Sequence, residues 1–272
     1  MRRLLFACCA VVLCRPAVAP AQTGPEPTMT LTLFGGASTG HSLWHIGAQP
    51  LCTLATCSST LGPQYDTLDL TRDISSSIVI GAAGSYFRNP HVGIEGEIFF
   101  LGLPFDDSCR PVYLNADPDS IDQQVCDNIS AASLSTSAIS FSGGLVFRAS
   151  PSHAISPYLR VGVGIVTYSG GTIEMSGAFR DATGAVFSRS IIDDLHPKTS
   201  FVSLQAAIGF TTRISPGYQF RVEARDAIVP LKRAVGAADQ LGRAPTALRT
   251  YHRLILTMGL DVVLERKRGR RY

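Results

Sequence analysis

The sequence predicts an all-β chain, an up-and-down antiparallel transmembrane β-barrel of eight strands. Three observations carry that reading. Apolar residues recur at every second position along most of the chain, which is the period of a strand and not of a helix. Several of the segments so marked exceed the usual globular strand length of about 5–6 residues and suit a tilted membrane strand of about 9–11. Short and long connections alternate, as they do when all turns lie at one end of a barrel and all loops at the other.

The chain opens with a charged Met1-Arg2-Arg3 start, an uncharged apolar run from Leu4 to Leu13, and the small-residue site Ala19-Pro20-Ala21 before Gln22. That is the layout of a secretory signal peptide over 1–21, too short to span a bilayer, with cleavage expected after Ala21. Leu13 before Cys14 does not fit a lipoprotein site, so lipidation is not expected. A short segment, 22–28, leads into the barrel, 29–264, and a basic tail, 265–272, follows it.

Met29, Leu31 and Leu33 begin the first strand, about 28–37. Ile78, Ile80, Ala82 and Tyr86 share a face of the second, 74–88. In the third, 91–103, Val92, Ile94, Ile98 and Phe100 oppose Gly93, Glu95, Glu97 and Phe99. Ile139, Phe141, Leu145 and Phe147 mark the fourth, 134–149, and Leu159, Val161, Val163 and Ile165 the fifth, 156–168. Val202, Leu204, Ala206, Ile208 and Phe210 mark the sixth, 199–214. Phe220, Val222 and Ala224 alternate with Gln219, Arg221, Glu223 and Arg225 in the seventh, 218–229. The last, 250–264, carries six apolar residues on alternate positions from Leu254 to Leu264. The short connections Arg88 to His91, Ala149 to His153 and Ile214 to Gly217 each hold a proline, which fixes φ for a turn. The long ones are 38–73, 104–133, 169–198 and 230–249. Segments 172–180 and 185–192 read as a further hairpin around Asp181 to Gly184. Arg189 on one face and Ser188 and Ser190 on the other place it above the membrane; were it to cross, the barrel would have ten strands, also an allowed even number.

Composition narrows the class. Hydrophobic residues make up 45% and charged residues 17%, which excludes disorder and a coiled coil. Of 24 Lys and Arg, Arg2, Arg3 and Arg15 leave with the leader, so 21 basic residues face 21 acidic ones. Five of those basics fall in the last seven residues, and the net charge gives no argument for nucleic acid. Only three lysines occur, few for a water-facing exterior, which speaks against a soluble lipocalin-like barrel. After the leader four cysteines remain, and in an oxidising compartment they read as disulfides. Local pairing, Cys52 with Cys57 and Cys109 with Cys126, needs no docking of one loop on another.

From Ala207 to Asp226 the chain shows a glycine-bearing strand, a tight turn and an Arg/Glu-alternating strand. There it resembles the small outer-membrane β-barrel families, including the OmpA-like barrel domain. Thr257, Gly259, Val262 and Leu264 resemble the signal read by the outer-membrane insertion machinery, with a basic tail intervening before Tyr272. The resemblance implies an outer-membrane location in a Gram-negative-type envelope, with outer-membrane lipid and that machinery as partners.

In a barrel this narrow the polar face points inward. Glu95, Glu97, Arg160, Arg221, Glu223, Arg225 and Asp261 fall on it, with Arg148, and their mixed signs predict an ion-pair network that fills the lumen. Glycosidase-like work from Glu95 and Glu97 would need an open cleft. His41 and His45 have metal-ligand spacing only on a helix, which Gly40, Ser42 and Gly47 oppose. All histidines but His252 fall in loops or turns by this reading. Asp117, Asp119 and Asp122 lack the turn glycine of a calcium loop, and six aspartates against one arginine make 104–133 a solvated acidic loop. No catalytic, cofactor-binding or metal residue is assigned, and no cofactor is expected. The expected function is a non-enzymatic, monomeric outer-membrane barrel with a structural or surface role. The alternatives are a narrow diffusion channel and a lipid-modifying enzyme.

Overall fold

The computed structural model describes residues 28–51, 67–112, 120–132, 135–151, 153–180, 183–194, 197, 199–239 and 242–264. The expected leader, the basic tail, and Cys52 and Cys57 lie outside these described residues.

In chain order the elements are β1 (Thr28–Ser38), β2 (His41–Pro50), β3 (Thr67–Ile74), β4 (Ser77–Phe87), β5 (Val92–Val112), α1 (Ile121–Ala131), β6 (Ser135–Arg148), β7 (Ile155–Tyr168), β8 (Met175–Arg180), β9 (Val186–Ile192), β10 (Ser200–Ser215), β11 (Tyr218–Ala234) and β12 (Thr246–Leu264). Eight of them form an antiparallel ring, β5-β4-β1-β12-β11-β10-β7-β6, which β6 closes by pairing back onto β5. The wall is an eight-stranded barrel, not a ten-stranded one. β8 and β9 pair only with each other and stand apart from the wall as a hairpin.

Side-chain parity follows the alternation. Leu33, Ile80, Ile94, Phe141, Val163, Ile208 and Met258 point outward and are exposed, while Glu95, Glu97, Arg160 and Glu223 are buried inside. This is the reverse of a soluble barrel, and water would face a contiguous apolar surface far beyond what soluble proteins leave uncovered. On β12 the belt runs from Leu254 to Leu264, roughly 25 Å tall at about 3.3 Å per residue and the usual strand tilt. Tyr86, Phe147, Phe210 and Tyr218 lie on its outer face near the short turns, where a barrel's aromatic girdle belongs.

The long connections are more structured than the alternation foretells. The segment 38–73 contains β2 and most of β3, with β3 pairing to the upper half of β5. In the acidic segment 104–133 the described residues, 104–112 and 120–132, form a strand and a helix and not a solvated loop. β5 continues through it to Val112, and α1 follows, burying Val125, Cys126 and Ile129 on one face. Asp122 is buried in the first turn of α1. Cys109 and Cys126 are joined by a disulfide that ties α1 to β5, the local pairing expected. Asn128 Oδ1 and Gln124 Oε1 accept the backbone N–H groups of Ala178 (2.9 Å) and Arg180 (3.0 Å), so α1 satisfies the open edge of β8.

Candidate functional site

The pleat sets every second residue on the lumen side, so Glu95 and Glu97 of β5, Tyr158 and Arg160 of β7, and Arg221, Glu223 and Arg225 of β11 converge there. The three guanidinium groups and three carboxylates form a closed cycle. Arg160 Nη1 donates to Glu95 Oε1 (2.6 Å) and Glu97 Oε2 (2.7 Å). Arg221 donates to Glu95 Oε2 and Glu223 Oε2, both at 2.8 Å. Arg225 donates to Glu97 Oε1 (2.5 Å) and Glu223 Oε1 (2.6 Å), which completes the ring. Each group has two partners of opposite sign, and the ring is neutral. Burying charge without such pairing is expensive, and removing one member strands two others.

Neutral groups fix the ring's geometry. Tyr158 donates its hydroxyl to Glu223 Oε2 (2.8 Å) and accepts from Arg221 Nε (2.7 Å). Gly209 makes room for that tyrosine, because a Cβ there would sit 2.6 Å from the Tyr158 hydroxyl. Ser85 donates to Glu95 Oε2 (2.6 Å), and Gln205 Oε1 accepts from Arg160 Nη2 (2.7 Å). Tyr158 and Gln205 share the inward parity of Arg160 and Ser203. Their roles go unread in the sequence because the groups they touch come from strands far along the chain.

Two predicted members stay outside the ring. Asp261 Oδ1 accepts from Thr32 Oγ1 at 2.8 Å, and Arg148 lies 3.6 Å over the ring of Phe87. Both sit nearer the short-turn end, below the level of Arg221, whose partner on β12 is Gly259. Above the ring the lumen turns apolar. Leu43, Trp44, Leu68, Leu70, Val125 and Ile173 are packed into one buried cluster that caps the barrel. Inside the cap Arg72 grips Asp107 with two bonds, 2.6 and 2.7 Å, against the rings of Trp44 and Phe105. Trp44 Nε1 and Arg72 Nη1 both donate to the Thr172 carbonyl, which knits β2 and β3 to the approach of β8.

Two of the histidines are placed differently from expectation. His41 and His45 lie in β2, not in a loop, because the long connection folds into a hairpin. His41 stacks on Tyr251 with centroids 4.8 Å apart. Burial and the Arg253 charge hold its imidazole below the usual histidine range, against a weaker pull from Asp73. His252 lies on the outer face of β12, where its Nδ1 is 2.8 Å from Asp226 of β11. This pair sits just above the belt, on β12 two residues before Leu254. Its cross-strand partner was not visible in the sequence. Among the described residues no serine, threonine or cysteine side chain is bonded to that pair, and no cluster of metal-ligand residues occurs.

The closed ring, the outward apolar belt and the gathering of long loops at one end define the fold. It is that of a small outer-membrane β-barrel. No protein-family model and no curated protein matches the chain. Solved structures similar to it include the outer membrane protein OprG of Pseudomonas aeruginosa, at 10% identity over 89% of this chain and 99% of that one, with a TM-score of 0.49. Neisserial surface protein A is also 10% identical over 88% and 99%, with a TM-score of 0.41. The outer membrane protease OmpT of Escherichia coli is 10% identical over 88% and 97%, with a TM-score of 0.40.

Proposed function

We propose that this protein is a non-enzymatic, monomeric barrel of the outer membrane with a closed lumen, acting through the cap its long loops present at the cell surface. The observation that carries this reading is the cyclic set of ion pairs spanning the lumen from β5 to β7 and β11. A barrel of eight strands leaves an interior just wide enough for side chains, and here arginines fill it. The same ring speaks against hydrolytic chemistry. Glu95 and Glu97 are buried and each held by two guanidinium groups, which leaves neither facing the open cleft that a substrate and water would need. Outer-membrane lipid covers the belt in this reading, and the insertion machinery delivers the chain through the final strand.

Planar-bilayer recording tests it, with refolded wild type beside a folded Arg221→Ala variant. The wild type should be silent. The variant, which removes two ion pairs and the bond to Tyr158, should show small openings. Large, steady wild-type channels would instead establish the diffusion-channel reading.

A further inference from the structure

Arg253 is a lumen charge that forms no ion pair among the described residues. It lies on the inner face of β12 above the ring and is 6% exposed. Its Nη2 donates to Ser38 Oγ (2.8 Å) and Ser77 Oγ (3.0 Å), while its Nε meets no partner. Beside it is an enclosed cavity of about 20 Å³, room for one water-sized body. Its polar lining is His41, Ser140, Tyr168, Gln205, Tyr251 and Arg253, set in an aliphatic and aromatic wall. No carboxylate lines it; Asp73 is near enough to act on His41 but is not part of the wall.

The unpartnered atoms of this wall are mostly donors. Arg253 Nε and Gln205 Nε2 only donate, the Ser140 hydroxyl can donate, and neutral His41 offers one ring N–H and one ring acceptor. The orientation of Gln205 is set from below. Its Oε1 accepts from Arg160, so flipping the amide would bring two donors together, and the Nε2 donors must stay unpaired. A buried guanidinium beside several unused donors, with no carboxylate in the wall, has the electrostatics of an anion site. A water molecule would satisfy some of those donors but leave the charge uncompensated.

We propose that this chamber binds one small monovalent anion of the halide class, held by Arg253, Gln205 and Ser140. A chamber this small favours one compact spherical ion, chloride or bromide, over the larger sulfate, phosphate and chain-bearing carboxylates. The site depends on the walls of the chamber and not on whether the barrel conducts, so bilayer recordings and the anion test can fail independently.

The test is to refold the full barrel from urea into detergent micelles in sodium bromide or in sodium sulfate of matched ionic strength. Crystals grown from the bromide preparation should give an anomalous peak beside Arg253 Nε; a chamber holding only water would overturn the proposal. The thermal midpoint should rise in bromide by on the order of 3 °C, and Arg253→Met should abolish the difference. An equal rise in the variant would mark a general salt effect and also overturn it. Should Arg253→Met fail to fold, Gln205→Leu and Ser140→Ala must each reduce the bromide shift, and an undiminished shift in both would reject the site.

Discussion

The lower and upper halves of the wall place the same residue classes on opposite sides of one strand. Along the lower part of β5, Ile94, Ile98 and Phe100 face out while Glu95 and Glu97 face in. Above Phe99 the inward positions become Leu101, Leu103 and Phe105, and the outward ones Gly102, Pro104 and Asp106. β11 does the same, passing inward from Arg221, Glu223 and Arg225 to Ala227, Val229 and Leu231, and outward from Val222 and Ala224 to Asp226. The pleat does not change along either strand, so the switch lies in the residue classes, as the proposed passage from lipid to water would require. Arg225 pairs with Ile255 and Asp226 with Leu254, so on β12 the switch falls where the belt begins. In the proposed reading the inversion marks where lipid gives way to water: below it charge is buried and apolar atoms face out, and above it the ordinary core returns.

The largest effect should come from breaking the lower half. Glu97 accepts from both Arg160 and Arg225, so Glu97→Gln leaves two buried guanidinium groups short of a counter-charge. The expected loss is about 3–5 kcal/mol, measured by urea unfolding in lipid vesicles. A second change, Arg225→Met, should recover part of it, because the ring then has one cation fewer to compensate.

A paired substitution locates the inversion itself. Met258 and Leu248 both point outward on β12 and are similarly exposed, but Met258 lies mid-belt and Leu248 lies above the His252–Asp226 pair. Met258→Arg should cost about 2–4 kcal/mol in vesicles. Leu248→Arg should stay within about 0.5 kcal/mol, as at an ordinary water-facing position. Equal costs would mean that the polarity switch does not mark the bilayer boundary.

The lower half was the legible one. A strand's period is written in its own residues, so Ile94 against Glu95 could be read without knowing any neighbour. The inward charges announced an ion-pair network for the same reason. Its pairings were hidden, because Arg221 and Glu95 are 126 residues apart and meet only once the ring has closed. The upper half was obscured by the inversion. The predicted third strand stops at 103 and the seventh at 229, each next to a proline, Pro104 and Pro230. Both prolines lie within continuing strands, where the residue classes also change sides. The helix was missed although Ile121, Val125 and Ile129 recur at its spacing. Eleven residues are marginal alone, and the disulfide and β8 hold this helix in place.

That support gives the next prediction. Cys109→Ser with Cys126→Ser opens a ring for which the chain-entropy model gives about 3 kcal/mol, and the loss should be confined to the cap. The chain has a single tryptophan, Trp44, buried within the cap, so its fluorescence reports on that half alone. In the double variant the Trp44 transition should fall to lower temperature while barrel unfolding, followed by strand circular dichroism, stays in place. Coincident shifts would show that wall and cap unfold as one unit.

The smallest effect concerns pH, and it belongs to the upper half because His41 lies above the belt. Burial and Arg253 disfavour its charged form, so the folded cap binds fewer protons here than the unfolded chain. Stability from this group is therefore full above the ordinary histidine value of about 6.5, and it falls as pH drops from there to the depressed folded value. Below both values the loss is complete and constant. The Trp44 transition should drop slightly across that window, and His41→Gln should remove the slope. An anion held beside Arg253 would offset the charge that depresses His41, so bromide should flatten the same slope in the wild type. A slope that bromide leaves unchanged while His41→Gln abolishes it would separate the histidine from the anion site and assign its shift to burial.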